Sequence, residues 1–467
     1  MPNLLATTFS LLLALLLVGC ATGNHEIAPQ AAFVVMGPEG AAWARVITTA
    51  RVCPAIVIDG ASQAMTVRAA AGTMPLRPTA SAPEESKPSA FPVLTCERLL
   101  PPGTASARVG ALALPVPKAD PQRIVVYGDS GCRMKKAENA WQACNDPNYW
   151  PFEKISRLAA AFKPDLVIHV GDYHYRENAC APTFPGCKDS VWGYGWDAWD
   201  ADLFKPAATL LAAAPWVMLR GNHEECRRAG QGYFRFIDPR PHTREQSCDE
   251  AQFDPQADYS APYAVPVGKD AQLIVFDTSR AGNAALNPAD PRDAHAYQQY
   301  FKAFTAVGQL AAKPGVSSLF LSHHPLLAFG PARKSSEVYG GSGSLLSVAK
   351  ALQPARYYPP GVDFAIHGHI HLLEEINFRS DHPATMVAGI GGDNLEDPLP
   401  EQFPADASPA DGVVLDTIVH TDRFGFVVMD RDGRDWNIVA YDQKGAPMTR
   451  CRLTGSKIHC DKNGMLK

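Results

Sequence analysis

Five short apolar segments each run directly into a cluster of glycine and polar residues, and this arrangement limits the possible folds more than any other feature. In chain order the segments are Ile124–Tyr127, Leu166–Val170, Trp216–Leu219, Leu319–Leu321 and Phe364–Ile366, and the clusters after them are Gly128–Gly131, Gly171–Tyr175, Gly221–Glu224, Ser322–Pro325 and His367–His371. Continuous apolar runs are typical of strands buried on both faces of a sheet, and ligands bind at the carboxyl ends of such strands. The sequence therefore predicts an α/β fold in which five strand ends carry polar side chains to one place.

The polar side chains of these clusters include two carboxylates, an amide, a phenol and several imidazoles. They are borderline to hard donors that suit Fe, Mn or Zn. A single Gly-Asp after a strand is usually only a turn. Five polar clusters in order, each after a strand, instead indicate a metal-binding site.

The five clusters resemble the motifs of the calcineurin-like metallophosphoesterases and, among them, of the purple acid phosphatases. The motifs of that subgroup are Gly-Asp-x-Gly, Gly-Asp-x-x-Tyr, Gly-Asn-His-Asp/Glu, a strand-borne histidine and Gly-His-x-His, which correspond here to residues 128–131, 171–175, 221–224, His323 and 368–371. The similarity extends over residues 122–440, although the fourth motif reads Phe-Leu-Ser-His. The resemblance implies an α/β catalytic domain over residues 119–467, a β-sandwich flanked by helices.

The resemblance also implies a dinuclear metal centre in which Asp172 bridges the two ions. The other implied ligands are Asp129, Tyr175 and His371 at one ion and Asn222, His323 and His369 at the other. The wider superfamily has a histidine where this chain has Gly131, so Tyr175 is expected to supply the missing ligand. A phenolate stays ionised below its usual pKa of ~10 only on a strong Lewis acid, which favours Fe(III) there and Zn, Mn or Fe(II) at the second ion. His174 is the alternative ligand. It lies two positions after Asp172, and residues two apart on a strand end share a face.

By the same resemblance the chain is a hydrolase of phosphate esters, in which a metal-bound hydroxide attacks phosphorus. His223 directly follows a proposed ligand, so we expect it to protonate the leaving alkoxide, with Glu224 orienting it. His324 is expected either to bind phosphate or to pack beside His323. The favoured activity is an acid phosphatase acting on phosphomonoesters, and a phosphodiesterase is the alternative.

Several features near the clusters are candidates for shaping the substrate pocket. The sequence of Gly340–Ser344 predicts a mobile loop near the fourth strand, and Trp192–Trp199 combines aromatic residues with glycine. Arg176 and Arg220 are candidates for binding phosphate. Each feature also has a simpler interpretation, as a connecting loop or a solvated surface charge.

Two other classes of function compete with this interpretation. Gly128–Gly131 also resembles the nucleophile motif of Gly-Asp-Ser esterases, with Ser130 as the nucleophile. That class needs an Asp-x-x-His near the carboxyl end, and His420 and His459 lack this spacing. A non-catalytic surface lipoprotein would be indicated by missing ligands, and the motifs are complete.

The amino terminus has the features of an export signal. The apolar run Leu4–Val18 is too short to span a bilayer comfortably and suits the core of a signal peptide. Leu17–Cys20 resembles a bacterial lipobox, which implies a signal peptide over residues 1–20, a lipid on Cys20 and a tether over residues 21–32. The protein is then expected in the periplasm or at the cell surface, and a secreted protein is the alternative, because no Lys or Arg precedes the run. A second Gly-Asn-His-Glu, residues 23–26, falls in the tether and is interpreted as a coincidence.

The cysteines agree with export, because ten of the eleven remain to pair if Cys20 carries lipid. The predicted disulfides join neighbours along the chain: Cys53 to Cys96, Cys132 to Cys144, Cys180 to Cys187, Cys226 to Cys248, and Cys451 to Cys460. No Cys-x-x-Cys supports the rival interpretation, a zinc ribbon.

Residues 33–118 contain short, regularly spaced β-like runs that predict a small all-β domain, similar to the fibronectin III-like domain of larger family members. The net charge of −5 offers no basic surface for nucleic acid. The expected partners are therefore a small phosphorylated substrate and, through Cys20, the membrane.

Overall fold

The computed structural model describes residues 29–79, 81–332, 337–404 and 406–461. The predicted signal peptide, Cys20 and the Gly-Asn-His-Glu at residues 23–26 lie outside the described residues, as does most of the predicted tether.

The N-terminal part of the described chain is built almost entirely of β-strands, which confirms its predicted all-β character. The strands are β1 (Ala31–Met36), β2 (Ala42–Thr48), β3 (Ala55–Ile58), β4 (Ala61–Ala64), β5 (Thr66–Ala69), β6 (Gly72–Met74), β7 (Ser89–Phe91), β8 (Leu94–Leu100), β9 (Ala107–Val109) and β10 (Leu112–Leu114). β1 pairs in parallel with a strand of the C-terminal part, with Val35 opposite Trp216. The predicted domain boundary between residues 118 and 119 stays a prediction.

The C-terminal part mixes strands with helices. Its strands are β11 (Arg123–Tyr127), β12 (Met134–Lys135), β13 (Ala140–Trp141), β14 (Leu166–His169), β15 (Trp216–Met218), β16 (Tyr263–Val267), β17 (Ala271–Phe276), β18 (Ser317–Ser322), β19 (Gly330–Pro331), β20 (Val338–Tyr339), β21 (Val362–His367), β22 (Leu373–Phe378), β23 (Ala384–Ala388), β24 (Leu415–Thr421), β25 (Gly425–Asp432), β26 (Asp435–Asp442), β27 (Pro447–Thr454) and β28 (Lys457–Cys460). Its α-helices are α1 (Phe152–Ala161), α2 (Trp196–Trp199), α3 (Lys205–Leu211), α4 (Gly230–Phe236), α5 (Asp254–Ala257), α6 (Ala294–Ala311) and α7 (Gly343–Leu352), and a π-helical turn, Asp200–Phe204, joins α2 to α3.

Two large sheets form the sandwich that the sequence predicts. The first has the strand order β28-β27-β26-β25-β11-β14-β15-β1-β2-β8-β5, so four N-terminal strands continue the sheet that holds the first three motifs. The second has the order β16-β17-β18-β21-β23-β22-β24 and carries the last two motifs. A third sheet, β10-β9-β3-β4, belongs to the N-terminal part.

The buried side chains divide into layers because successive residues of a strand point to opposite faces. Ile124 and Val126 of β11 belong to the same buried cluster as Leu319 and Leu321 of β18, so this cluster fills the space between the two sheets. Val125 and Tyr127 face the opposite side and pack with Phe152 and Ile155 of α1. The outer face of the second sheet is covered in the same way by α6, through Tyr300 and Phe304. The result is the predicted β-sandwich flanked by helices.

The register of the parallel strands brings the motif ends together. Tyr127 at the end of β11 is opposite His169 of β14, and His169 is opposite Met218 of β15. In the second sheet, Leu321 of β18 is opposite Ile366 of β21. The carboxyl ends of these strands therefore lie along corresponding edges of the two sheets.

All five predicted disulfides are present, each with the predicted pairing. Structural disulfides persist in oxidising compartments, so the folded chain is typical of an exported protein. Within the described ranges, we find no helix that is long and apolar enough to span a membrane.

Candidate metal centre

Three of the five motifs contain a sharp backbone turn just after the strand, at a non-glycine residue. Asp129 and Asp172 both have a φ of 56°, and His369 has a φ of 69°. Non-glycine residues seldom adopt this left-handed conformation, and they keep it mainly where the surrounding structure requires it, often at functional sites. Gly171, with a φ of 101°, has no room for a side chain, because a Cβ would lie 2.7 Å from the His323 ring.

The Tyr175 hydroxyl lies at the centre of one group of predicted ligands. It is 3.0 Å from Asp129 Oδ1, 3.0 Å from Asp172 Oδ2 and 3.0 Å from His371 Nε2. His371 Nε2 is also 3.2 Å from Asp129 Oδ1. Four side chains that come from three separate strand ends therefore converge at one point.

The second group of predicted ligands shares Asp172 with the first. Asp172 Oδ2, which contacts Tyr175, also lies 3.1 Å from His323 Nε2. The Asn222 Oδ1 oxygen is 3.2 Å from His323 Nε2 and 3.1 Å from His369 Nδ1. The structure thus brings together all seven predicted ligands, with Asp172 between the two groups.

His174, the alternative to Tyr175, does not join either group. Its ring packs beside Tyr194 and Trp199, with ring centroids 5.4 and 5.8 Å away. Both ring nitrogens are buried without a hydrogen-bond partner among the described residues. The backbone of His174 contributes instead, because its carbonyl oxygen is 3.1 Å from His223 Nδ1.

Glu177 orients His223, and the sequence-based assignment of this role to Glu224 is wrong. The Glu177 Oε1 oxygen is 3.1 Å from His223 Nδ1, and Arg228 pairs with the same carboxylate. The Glu224 carboxylate instead accepts backbone N–H groups, from Gly221 at 3.0 Å and from Asp172 at 3.0 Å. Glu224 therefore ties the second motif loop to the third, because backbone donors surround it.

His324 lies beside the second group rather than apart from it. Its ring lies against that of His369, with centroids 3.9 Å apart and the ring planes tilted by 31°, and one of its nitrogens lies near a ring nitrogen of His323 and of His369. The Nδ1 atom is 3.4 Å from Thr278 Oγ1. This position agrees with both interpretations from the sequence, phosphate binding and packing.

The electrostatics of the two groups are those of a site that binds cations. Burial alone would lower the pKa of His323, but the Asp172 and Asp129 carboxylates raise it to about 9. The pKa of His371 is likewise raised to about 9 by Asp129 and Asp393, against the effect of burial. In the metal-free protein, protons on these imidazoles therefore balance carboxylate charge that cations would otherwise balance.

The sequence profile of the calcineurin-like phosphoesterase family matches residues 122–373, which is more than half of the chain. The matched segment contains all seven predicted ligands. The chain belongs to the calcineurin-like phosphoesterase family.

Two solved structures share the fold of this chain. Purple acid phosphatase PPD1 from yellow lupin (Lupinus luteus) seeds is 14% identical, with 94% of this chain and 76% of that chain aligned and a TM-score of 0.50. PhoD is 11% identical, with 95% of each chain aligned and a TM-score of 0.52. No curated protein sequence matches the chain significantly. At these identities, the likeness to the two structures concerns the fold alone.

A dinuclear metal centre is implied by membership of the calcineurin-like phosphoesterase family, and the donor set fits one. Ligands about 2.1 Å from a common cation lie roughly 3 Å apart when their bonds are at right angles, which matches the 3.0 Å contacts of the Tyr175 hydroxyl. The bridging position needs a bidentate or shared carboxylate, and Asp172 contacts both groups.

Ser130 lacks two features that a catalytic serine needs, an exposed hydroxyl and a carboxylate behind its histidine. Its side chain is fully buried and hydrogen-bonded to His169 Nε2 at 2.8 Å. His169 Nδ1 faces the Gly171 N–H at 3.2 Å rather than a carboxylate. Because a serine hydrolase needs an accessible nucleophile and an acid behind its histidine, this geometry argues against the esterase interpretation.

The two arginines that were candidates for binding phosphate form buried ion pairs instead. Arg176 is buried and pairs with Asp202, with Nε 2.6 Å from Oδ1. Arg220 is buried and lies 3.2 Å from Asp258. Neither arginine is available to bind phosphate, because its charge is already balanced by a buried carboxylate.

The Gly340–Ser344 segment packs against neighbouring backbone and its last two residues begin α7, so the prediction of a mobile loop is wrong. Ser342 N donates to Pro325 O at 2.9 Å, and Ser342 Oγ donates to Gly282 O at 2.8 Å. A Cβ on Gly341 would lie 1.8 Å from Leu326 O, so the glycine permits close backbone packing. The predicted aromatic segment is also part of the core, since Trp199 is fully buried.

Sequence reasoning missed the charged residues that support the ligands. Asp393 lies 3.4 Å from His371 Nδ1 and pairs with Arg133, whose guanidinium is 4.8 Å from the Tyr175 ring centroid. Arg133 lies two residues after the first motif, and this closeness could have identified it as a candidate supporting residue. Asp393 and Asp202 lie far from any motif, so only the fold shows their positions.

Proposed function

We propose that the protein is an acid phosphatase that hydrolyses phosphomonoesters, with Fe(III) and a second ion, Zn, Mn or Fe(II), as cofactors. The observation that carries the proposal is the convergence of the Tyr175 hydroxyl on Asp129, Asp172 and His371, each at 3.0 Å. A tyrosine ligand favours a strong Lewis acid such as Fe(III), because only such an ion keeps a buried phenol ionised.

Asp129, Tyr175 and His371 would hold the ferric ion, and Asn222, His323 and His369 the second ion, with Asp172 shared. When bound, the two cations neutralise phosphate charge and make water more acidic. Tyr175 would release its proton as the ferric ion binds, because burial together with the Asp129 and Asp172 charges raises the pKa of the phenol well above its usual value without the ion.

His223 is proposed to donate the proton that the leaving alkoxide takes. Its Nδ1 is engaged by Glu177 at 3.1 Å, which leaves Nε2 directed toward the site, 3.9 Å from Asp172 Oδ2. Burial and the Arg228 guanidinium lower the pKa of His223 to about 3, against the opposing effect of Asp172 and Glu177. Because His223 carries its proton only in acid, this supports an enzyme that works best at low pH.

A small cleft beside the site supports monoesters as substrates. It has a volume of about 280 Å³ and is lined by Arg133, Glu138, Ala140, His371 and residues 394–397. That volume lies at the lower limit for small-molecule sites, about 300 Å³, so a small leaving group suits it better than the two alcohols of a diester. Phosphodiester hydrolysis is the competing activity.

The protein is further proposed to be a lipoprotein, anchored to the membrane through Cys20. The five disulfides support export, and the lipobox-like Leu17–Cys20 supports the anchor. The proposed partners are the membrane and a small phosphorylated substrate, without nucleic acid.

A comparison of mono- and diester hydrolysis in metal-defined protein tests the activity. The purified protein, chelated and then reloaded with iron and zinc, is expected to hydrolyse p-nitrophenyl phosphate faster than bis(p-nitrophenyl) phosphate. Asp172→Asn should lower kcat/KM by more than the ~100-fold typical of residues that only support ligands, and Asp146→Asn, at a half-buried position outside the two ligand groups, should leave it unchanged. Chelator-resistant activity would contradict the metal mechanism, and a preference for the diester would contradict the assigned substrate class.

A further inference from the structure

The space beside Gly131 is already filled by other parts of the site. A Cβ on Gly131 would lie 2.6 Å from Tyr173 O, 2.8 Å from Asp202 Oδ2 and 2.9 Å from Tyr175 N. No side chain fits at this position, where the wider superfamily has its histidine. The absence of that histidine is therefore linked physically to the presence of Asp202 and of the loop that carries Tyr175.

The Asp202 carboxylate joins the first two motif loops. It is fully buried. Its Oδ1 atom accepts the Cys132 N–H at 3.1 Å and the Arg176 Nε–H at 2.6 Å. Its Oδ2 atom accepts the Tyr175 N–H at 2.8 Å and the Arg176 N–H at 3.3 Å. Both oxygens thus act only as acceptors, and one of them fixes the backbone of Tyr175 directly.

Asp202 itself stands on a rigid support. It lies in the π-helical turn Asp200–Phe204, a type of turn that is rare and is frequently found at functional sites. The next two residues, Leu203 and Phe204, are buried in the core against the first sheet. This packing fixes the position of Asp202. Its hydrogen bond with the Tyr175 N–H therefore restrains the Tyr175 loop.

We propose that Asp202 is a positioning residue that holds the Tyr175 hydroxyl among Asp129, Asp172 and His371. The inference rests on the proposed function, in which Tyr175 binds the ferric ion. Asp202 touches neither substrate nor ligand side chains, and it acts through the Tyr175 N–H. An asparagine at this position keeps the size but turns an NH₂ group toward backbone donors, so we expect the Tyr175 loop to shift.

The visible spectrum of iron-loaded protein tests this inference, because tyrosinate-to-Fe(III) charge transfer reports directly on the Tyr175 position. Asp202→Asn is expected to lose most of the band's intensity or to shift its maximum, and kcat is expected to fall about 100-fold, as for a misplacement of about 1 Å. Iron content, measured on the same sample by mass spectrometry, shows whether a weak band reflects a displaced tyrosine or lost metal. Loss of iron from Asp202→Asn, when the control variant described below keeps its iron, also supports the inference.

Asp238→Asn is the matched control. Asp238 is also fully buried and pairs with an arginine, with Oδ1 2.8 Å from Arg240 Nε, and it contacts none of the predicted ligands. It should lose stability without changing the band. An Asp202→Asn protein that holds iron and keeps the wild-type band overturns the inference. If Asp202→Asn does not fold, Asp202→Glu replaces it, because it keeps the charge but displaces the acceptor oxygens, with the same expected and contradicting results.

The proposed function and this inference fail in different ways. A wild-type protein that hydrolyses phosphomonoesters and binds iron without the band would overturn ligation by Tyr175, and with it the role of Asp202. A wild-type protein that shows the band, but no phosphatase activity, would contradict the proposed function while the effect of Asp202→Asn on the band still decides the inference.

Discussion

At the scale of single residues, the buried carboxylate of Glu177 holds His223, the proposed proton donor. The Glu177 carboxylate is shared, because Arg228 and the Tyr194 hydroxyl also contact it, the latter at 3.0 Å. Arg228 in turn donates to Asn222 O at 3.1 Å. The proposed proton donor is therefore held by the same charged network that supports the third motif loop.

Glu177→Gln is expected to lower kcat by about 10- to 100-fold with little change in KM, because His223 acts mainly in the transition state. The Glu177 charge raises the pKa of His223, so its removal lowers that pKa further. A smaller fraction of His223 is then protonated at any given pH, and the alkaline limb of the kcat profile should move to lower pH. Steady-state kinetics across the acidic range measure both effects.

Glu97→Gln is a suitable control for Glu177→Gln, since Glu97 also pairs with arginines, Arg45 at 3.2 Å and Arg68 at 3.1 Å, in the N-terminal part. It should leave the pH profile in place. A Glu177→Gln enzyme with a wild-type profile would exclude His223 as the proton donor that Glu177 orients.

The predicted ligands could be found from the sequence because six of the seven lie within four residues of a glycine at a strand end, and the seventh, His323, directly follows the apolar strand β18. The supporting residues were not. Glu177 is only two residues beyond Tyr175, but nothing local indicates that its carboxylate turns toward His223. Asp202 is separated from Tyr175 by 27 positions, and only the packing of a π-helical turn brings it to the Tyr175 N–H. Contacts of this kind depend on tertiary structure.

At the scale of elements, the strand β22 is unusual because it buries two successive glutamates. Glu374 accepts the Phe329 N–H at 3.0 Å through Oε2, while its Oε1 has no partner among the described residues. Burial raises the pKa of Glu374 to about 8, and burial also raises that of Glu375 to about 8. Both carboxyls are thus neutral in the folded protein over the acidic range.

Glu374→Gln is expected to stabilise the protein above pH 5 and to have little effect below pH 4.5. The unfolded carboxyl ionises near its ordinary pKa of ~4.3, whereas the folded one keeps its proton up to about pH 8. Between these values the unfolded state binds fewer protons, so wild-type stability falls as pH rises. The gain in the variant should grow through this window to a few kcal/mol, on the order of 1.4 kcal/mol per pH unit at most.

Urea unfolding at pH 4, 6 and 8 measures this trend. Gln keeps the acceptor for the Phe329 N–H, so the bond at 3.0 Å should survive. Glu153→Gln, on the exposed face of α1, is the control and should show no dependence on pH. A constant difference between Glu374→Gln and wild type at all three pH values would show that Glu374 is ionised in the folded protein.

The elements themselves were predicted unevenly, and the physical reason is their environment. β11 and β14 are buried on both faces and read as continuous apolar runs, so both were evident. β26 and most of β27 alternate buried and more exposed residues, and none of the strands β25 to β28 carries a motif. They extend the first sheet by antiparallel pairing with β11, which sequence alone did not indicate.

At the scale of the whole molecule, the N-terminal strands lie between the predicted export signal and the sheet that holds the first three motifs. β1 starts at Ala31, so it includes the last two residues of the predicted tether, and it pairs directly with β15. Next to it, β2 pairs with β8, which carries one half of the Cys53–Cys96 bridge. An anchor at Cys20 would therefore hold the catalytic part close to the membrane, with only a short stretch of chain between.

Cys20→Ser is expected to move the protein from the membrane fraction to the soluble periplasmic fraction. Each CH₂ of an acyl chain contributes about 0.8 kcal/mol to membrane binding, so removing the lipid removes the main attraction. Cell fractionation, followed by thiol titration of denatured but unreduced protein, measures location and disulfides together. Few free thiols are expected in wild type or in Cys20→Ser, because all ten other cysteines are paired.

Cys53→Ser is the matched control, and it should free the Cys96 thiol while the protein stays membrane-bound. Wild-type protein found in the soluble fraction would favour secretion over anchoring, and Cys20→Ser protein that stays in the membrane fraction would show that another segment holds it there.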